Sequence, residues 1–162
     1  IGISALYFLT RNPNVKVYLF EPVPRNAERL KGNLKGFETR YEFKEWAIGI
    51  KEGRADFASE KTGRYGGLIK DGPSHLSQCP PERRIEVEVH SANKVLMEIL
   101  SKHDSVDILK IDVEGFEAEI LAHLEMDVLG RIDRIYAEMT TDQKVPGFLS
   151  EHYGGVARYS RV

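Results

Sequence analysis

Carboxylates close three short apolar runs in this chain: Glu21 after VKVYLF (15–20), Asp112 and Glu114 within DILKIDVEGFEAEIL (107–121), and Glu138 after RIYA (134–137). A carboxylate can accept hydrogen bonds from hydroxyls, take a proton or hold a metal. Two acids one residue apart repel and are costly to desolvate, so a purely structural strand end would more cheaply use Ser, Asn or Gly. Asp112 and Glu114 therefore ask for a partner.

The runs that carry these acids read as buried strands. VKVYLFE is β-branched and aromatic, and DILKI has the same character. Helices separate them. Residues 3–11 read as a short helix stopped at Asn12-Pro13-Asn14, and Pro24 suits the first turn of the next, with Ala27, Leu30 and Leu34 on one face and Gly36 as a stop. A strand follows at 41–46. Ser91 is placed to cap a helix with an apolar stripe of Val95, Leu96, Ile99 and Leu100. After Gly115, the residues Phe116, Ile120, Leu121 and Leu124 line one side of a helix, with Glu117, Glu119 and Glu125 on the wet side. One more strand is expected at 132–138 and a last short helix at 145–152. Residues 54–58 and 85–90 differ, since IEVEVH alternates and so has one wet face, as in an antiparallel or edge strand.

Strands separated by helices imply βαβ units, and the fold class expected is α/β, a mostly parallel sheet with helices on both faces. Such sheets bind ligands beyond the carboxyl ends of their strands, where Glu21, Asp112 and Glu138 stand.

The 162 residues suit one domain, 1–162, and 41% apolar content supports a core. A net charge of −2 with interspersed Lys and Glu argues against a nucleic-acid footprint. The lone Cys79 offers no intrachain disulfide, which favours a cytoplasmic setting, and Cys79 itself is read as inert. No apolar stretch is long enough for a membrane span, and the N-terminus lacks a signal-peptide layout. His90, His103, His123 and His152 lack ligand spacing, and no metal site is read. Residues 63–76, GRYGGLIKDGPSHL, have the glycines of a lid but no phosphate-loop Lys-Ser/Thr; His75 there either reaches an acceptor or is solvated.

Three stretches, YLFEPVPRNAERLKGNL, EWAIGIKEGRADF and DILKIDVEGFEAEIL, together resemble the successive signatures of FkbM-type methyltransferases. The resemblance implies a class I methyltransferase (Rossmann-like) fold. It further implies S-adenosylmethionine as cofactor, and methyl transfer to a hydroxyl oxygen of a sugar or other small natural product. Glu21 becomes the ribose ligand, against the alternative of a strand-end acid capping the helix near Pro24. Trp46 and Ala47 lie near the adenine, with Ala47 facing the base more readily; Trp46 is equally a core aromatic. Asp112 falls near the reactive methyl group, as a cofactor contact and as a catalytic group that orients the acceptor hydroxyl, takes its proton or holds a metal. Glu114 is either catalytic or a cap for the following helix. Lys110 either neutralises one of these acids or is a snorkelling surface lysine.

The resemblance departs at the start. The family opens with an apolar strand and an Asp-x-Gly-Ala-Asn-Ile-Gly turn around the cofactor's methionine part, of which Ile1-Gly2 is visible, making Gly2 a cofactor contact. The missing strand would be central, flanked by those at 15–20 and 107–111, and each backbone group it left unpaired would cost about 1–3 kcal/mol. The expectation is therefore either a chain that continues upstream or a truncated or nonfunctional copy. VARYSRV, at the other end, resembles the first strand of a closing hairpin whose mate is absent. A noncatalytic binding or scaffold domain that retains the fold is the alternative function.

Overall fold

The computed structural model describes residues 1–59, 66–69, 84–139, 141 and 143–162. They form two compact units, Ile1–Ala47 with Arg54–Glu88, and Ile48–Gly53 with Val89–Val162.

The first unit is built on helix α1 (Ile3–Arg11), strand β1 (Val17–Phe20), helix α2 (Pro24–Asn33) and strand β2 (Tyr41–Lys44). Ala5 and Leu9 of α1 are four residues apart, as are Leu30 and Leu34 on and just past α2, so each pair lies on one helical face. These four form a buried cluster, against which Val17, Leu19, Tyr41 and Phe43 pack. Because α2 carries the chain back over the strands, β1 and β2 run parallel, with Val17 opposite Tyr41 and Phe20 opposite Lys44. Arg40 ties the layers by donating to the Leu9 and Asn12 carbonyls.

Strands β3 (Ala47–Gly49), β4 (Gly53–Ser59), β5 (Gly66–Leu68) and β6 (Arg84–Ser91) make a second sheet in the order β3-β6-β4-β5. The wet face expected of 85–90 is present, with Val87 and Val89 buried and Glu86 and Glu88 exposed. β6 is nevertheless an interior strand. β4 and β5 are antiparallel and so close that a Cβ on Gly66 would meet the Ala58 carbonyl at 2.6 Å.

The second unit holds α3 (Ala92–Leu100), β7 (Val106–Ile111), α4 (Glu117–His123), α5 (Met126–Leu129), β8 (Ile132–Glu138), β9 (Phe148–Tyr153) and β10 (Val156–Arg161). Its core gathers Leu96 and Leu100 of α3, Ile120 and Leu121 of α4, and Ile132, Ile135, Ala137, Ala157 and Tyr159 of the sheet. Ile135 and Ala137, like Ala157 and Tyr159, are two residues apart, the period that puts one strand face inward. The sheet order is β7-β8-β10-β9. β7 and β8 are parallel, joined through α4 and α5, whereas β10 is antiparallel to both β8 and β9.

The expected single, mostly parallel Rossmann-like sheet is therefore not what the chain forms. The described residues form three separate sheets, and of the pairings whose direction is defined, β1–β2 and β7–β8 are parallel while β4–β5, β8–β10 and β9–β10 are antiparallel. β1 and β7, expected to flank one central strand, belong to different sheets, and each has a neighbour on one side only among the described residues. In the β7-β8-β10-β9 sheet the antiparallel part has a local reason: a tight turn reverses the chain where a helix was expected. Gly154 and Gly155 have φ of 55° and 90°, and two consecutive positive φ values are the geometry of a two-residue hairpin. That turn makes 148–153 a strand rather than the short helix expected at 145–152, and it gives VARYSRV a mate upstream.

No helix among the described residues is long and apolar enough to cross a membrane. His75, Cys79 and most of the 63–76 segment lie outside the described residues.

Candidate functional site

Glu21 directly follows β1, and its N–H donates to the Lys44 carbonyl at 3.2 Å, extending the parallel ladder by one step. Its carboxylate turns toward α2, where Oε1 accepts the Val23 N–H at 2.9 Å. Val23 is the residue before the first turn of α2 and Pro24 has no N–H to offer, so the carboxylate meets the first donor at that helix start. The capping alternative is thus realised in part.

Trp46 stands two residues past β2, and its ring lies near-parallel to that of Phe20, with centroids 6.3 Å apart and planes at 19°. The Lys44 ammonium sits 5.2 Å from the Trp46 centroid. Neighbouring strand tips therefore carry an acid, after β1, and a flat aromatic surface, after β2. Ala47 is buried beside them in sequence. The donor set fits a ligand with a diol and a planar base, since a carboxylate suits the first and an aromatic face the second. Gly2 is the N-cap of α1 at φ 73°, where a Cβ would lie 3.4 Å from Leu30 Cγ. Its backbone conformation is one that side chains rarely adopt, and its carbonyl accepts the Leu6 N–H at 2.9 Å.

In the second unit the ladder of β7 and β8 ends at Ile111 opposite Ala137, so Asp112 and Glu138 are the next residues on adjacent strands. Their carboxyls are within hydrogen-bonding reach of one another. Lys110 Nζ pairs with Asp112 Oδ2. Burial on its own would push the Asp112 carboxyl up, but the hydrogen bond and charge of Lys110, with the hydrogen bond to Glu138, outweigh it and hold Asp112 below its ordinary value. Glu138 moves the other way. The hydrogen bond and negative charge of Asp112, some burial and the charge of Glu117 raise it, against the pull of Lys110. Two like groups in contact are driven apart in this way because both cannot ionise cheaply at that distance.

The turn after Asp112 is held from below. Glu117, the first residue of α4, is 4% exposed, and its two carboxylate oxygens accept the Val113 and Gly115 N–H groups, each at 2.9 Å. The charge of Glu117 suggests the wet side of its helix, but the helical period places it on the face of Ile120 and Leu121, three and four residues on, and it is buried there. These N–H groups belong to the turn; the N-cap residue of α4, Phe116, makes no side-chain cap. Glu114 takes a φ of 57° and Gly115 of 106°, so the chain turns through two left-handed residues around that carboxylate.

The expected site residues thus fall into two groups: Gly2, Glu21, Trp46 and Ala47 in the first unit, Asp112 and Glu114 in the second. Within each unit the structure adds a residue that the sequence did not assign to the site, Phe20 beside Trp46 and Glu138 beside Asp112. Glu138 was visible as a strand-tip acid; the missing signal was the register that makes it the neighbour of Asp112. Among the described residues, no group of three or more His, Cys, Asp and Glu is placed to hold a metal ion.

The family described as "Methyltransferase FkbM domain" matches residues 2–153. The chain is also similar to the 2-O-methyltransferase NoeI of Sinorhizobium fredii (strain NBRC 101917 / NGR234), 29% identical over 157 aligned residues that cover 91% of this chain and 63% of that protein. The chain thus spans somewhat under two thirds of that relative's length. No solved structure matches the chain.

Proposed function

The chain belongs to the FkbM methyltransferase domain family, and from that premise we propose that it transfers a methyl group from S-adenosylmethionine to a hydroxyl oxygen of a sugar or similar small molecule. The observation that carries the reading is the family match over nearly the whole chain. Strand-tip acids of the right chemistry support it, and the name of the 2-O-methyltransferase relative supports a hydroxyl acceptor. A cytoplasmic setting belongs to the same reading, supported by the lone Cys79.

Glu21 would hold the ribose diol of the cofactor, with Trp46 and Phe20 presenting apolar surface to its base and Gly2 and Asp112 contacting the methionine end. S-adenosylmethionine supplies an electrophilic methyl group when bound. The chain's own part is to align an acceptor oxygen with that methyl, exclude water and receive the hydroxyl proton. Positioning of two reactants can lower the barrier by several kcal/mol more than proton transfer does, so alignment is the larger share. Asp112 and Glu114, at the β7 tip, are the acids proposed to serve the acceptor side.

Calorimetric titration with S-adenosylmethionine tests the reading. Glu21→Ala should weaken binding at least about tenfold, because one hydrogen bond to a charged acceptor contributes about 1.5–3 kcal/mol and each 1.4 kcal/mol is a factor of ten. Glu21→Gln, which can still accept the Val23 N–H, should preserve stability while still weakening binding. An affinity untouched by Glu21→Ala removes the ribose role, and a wild-type protein that does not bind removes the reading. With binding in hand, transfer of labelled methyl to a panel of methyl glycosides and their 2-deoxy analogues tests whether a 2-hydroxyl is the acceptor.

A further inference from the structure

We propose that Glu138 is the group that removes the acceptor hydroxyl's proton, and that Asp112, pinned by Lys110, is a positioning residue and fixed negative charge beside it. The proposal rests on the methyltransferase reading above and adds to it a division of labour between two acids, of which sequence pointed only to Asp112.

The geometry separates the two carboxyls. Asp112 Oδ2 is engaged by Lys110 Nζ, and the Asp112 carboxyl also faces Glu138, so it is held on both sides. A carboxylate paired with an ammonium is a poor proton acceptor, because each proton it gains breaks the ion pair. Among the described residues no cation pairs directly with Glu138, and Lys110 acts on it only through its charge. It stands exposed at the end of β8, next to Asp112 across the continued register, where an acceptor over the strand tips can reach it. A neighbouring fixed negative charge makes a carboxylate a stronger base, and general bases work best when their proton affinity approaches the working pH. The raised Glu138 and lowered Asp112 agree with that assignment.

The other charged groups that bear on Glu138 come from each packed element. β7 and its turn contribute Lys110 and Asp112, and α4 contributes Glu117. From β10 the register partner is Val156, which is uncharged. In the step itself the acceptor oxygen loses its O–H bond and gains an O–CH3 bond. The proton goes to a Glu138 carboxylate oxygen, and the electron pair of the breaking S–CH3 bond stays on the donor sulfur, leaving a neutral thioether. No oxidant or further reactant is needed.

Two measurements test this, the first independent of turnover. In the full protein labelled with 13C at glutamate carboxyls, the Glu138 resonance is the one lost in Glu138→Gln. Its titration midpoint should lie above those of ordinary glutamates and fall toward them in Asp112→Asn. A midpoint indifferent to Asp112→Asn overturns the coupling and the proposal. The second follows S-adenosylhomocysteine released with an active glycoside from the panel. Glu138→Gln should lower turnover about 10²- to 10⁴-fold, abolish the acid limb of the pH–rate profile and leave S-adenosylmethionine affinity unchanged. Glu138→Asp should recover part of the rate. If coupling is found but Glu138→Gln keeps the wild-type rate and profile, the proton goes elsewhere and the assignment falls. A wild type that binds no S-adenosylmethionine instead fails the functional reading and takes the base assignment with it, while the measured coupling stands apart.

Discussion

Removing the Glu117 carboxylate should unfasten the turn that presents Asp112. Glu117→Ala deletes the acceptor for two backbone N–H groups, those of Val113 and Gly115, each bonded at 2.9 Å. Hydrogen bonds to a charged group contribute about 1.5–3 kcal/mol each, which would give about 3–6 kcal/mol for the pair. Both amides are only part-buried, so water replaces some of what is lost and about 2–4 kcal/mol is expected. Glu117→Gln keeps one carbonyl oxygen but turns an NH2 toward the second amide, so it should cost about 1–2 kcal/mol. Urea unfolding gives the global values, and native-state hydrogen exchange gives the local ones. In both variants the Val113 and Gly115 amides should lose protection, while those of β8 and β10 change only as far as global stability does. Equal stability of wild type, Glu117→Gln and Glu117→Ala would show that the turn stands without its internal carboxylate, and the account of Glu117 would be wrong.

Glu114, at φ 57°, should be intolerant of β-branching: Glu114→Val lowers stability by about 1–2 kcal/mol and Glu114→Gly leaves it within about 0.5, as denaturant titration would show; the reverse order removes strain from the turn. Tyr159 is fully buried and its hydroxyl donates to the Gln143 carbonyl at 2.9 Å, so Tyr159→Phe should cost about 1 kcal/mol and lower Tm by about 2–4 °C, with an unchanged Tm refuting the bond's contribution. Asp112→Ala should depress turnover more than S-adenosylmethionine affinity, and normal turnover on a true acceptor would take Asp112 out of the chemistry. Glu138 binds its proton more tightly when folded, so it favours the fold fully below the ordinary glutamate value of 4.5, and that contribution is lost as pH rises through its raised folded value. Asp112 acts in a lower window, contributing stability above its ordinary value of 3.8 that is lost as pH falls through its depressed folded value. Stability curves of Glu138→Gln should therefore lack the loss on the upper side alone, and a curve that still shows it assigns that loss to another group.

The strands and helices around the candidate site were legible because their signals are local. VYLF is apolar on both faces and ends in an acid, Pro24 fits a first turn, and the stripe of Val95, Leu96, Ile99 and Leu100 has a helical period; each became the element expected. Strand direction was not legible, because it depends on what pairs with what. FLSEHY carries no strong alternation, and the two-glycine turn after it becomes a hairpin only through its pairing with VARYSR. Once the hairpin forms, β10 lies antiparallel to β8, and the parallel sheet inferred from helix-separated strands gives way to a mixed one.

The same distinction between local and paired signals explains the acids. Its charge suggests that Glu117 faces outward, yet helical periodicity puts it on the side of Ile120 and Leu121, and at the first turn of a helix the unsatisfied N–H groups of the preceding loop lie within reach of that side. An acid at this position, immediately after a glycine turn, has donors to meet before it has solvent, and Glu117 meets two of them. Asp112 was recognisable from its own stretch, but its character is not its own: it is set by Lys110 two residues back and by Glu138 on the next strand. A carboxylate read singly suggests a base; read with its ammonium and its twin, it becomes the charge that makes the twin the base. The proton's destination at this strand tip is therefore a property of the β7–β8 register, which no single stretch of the chain contains.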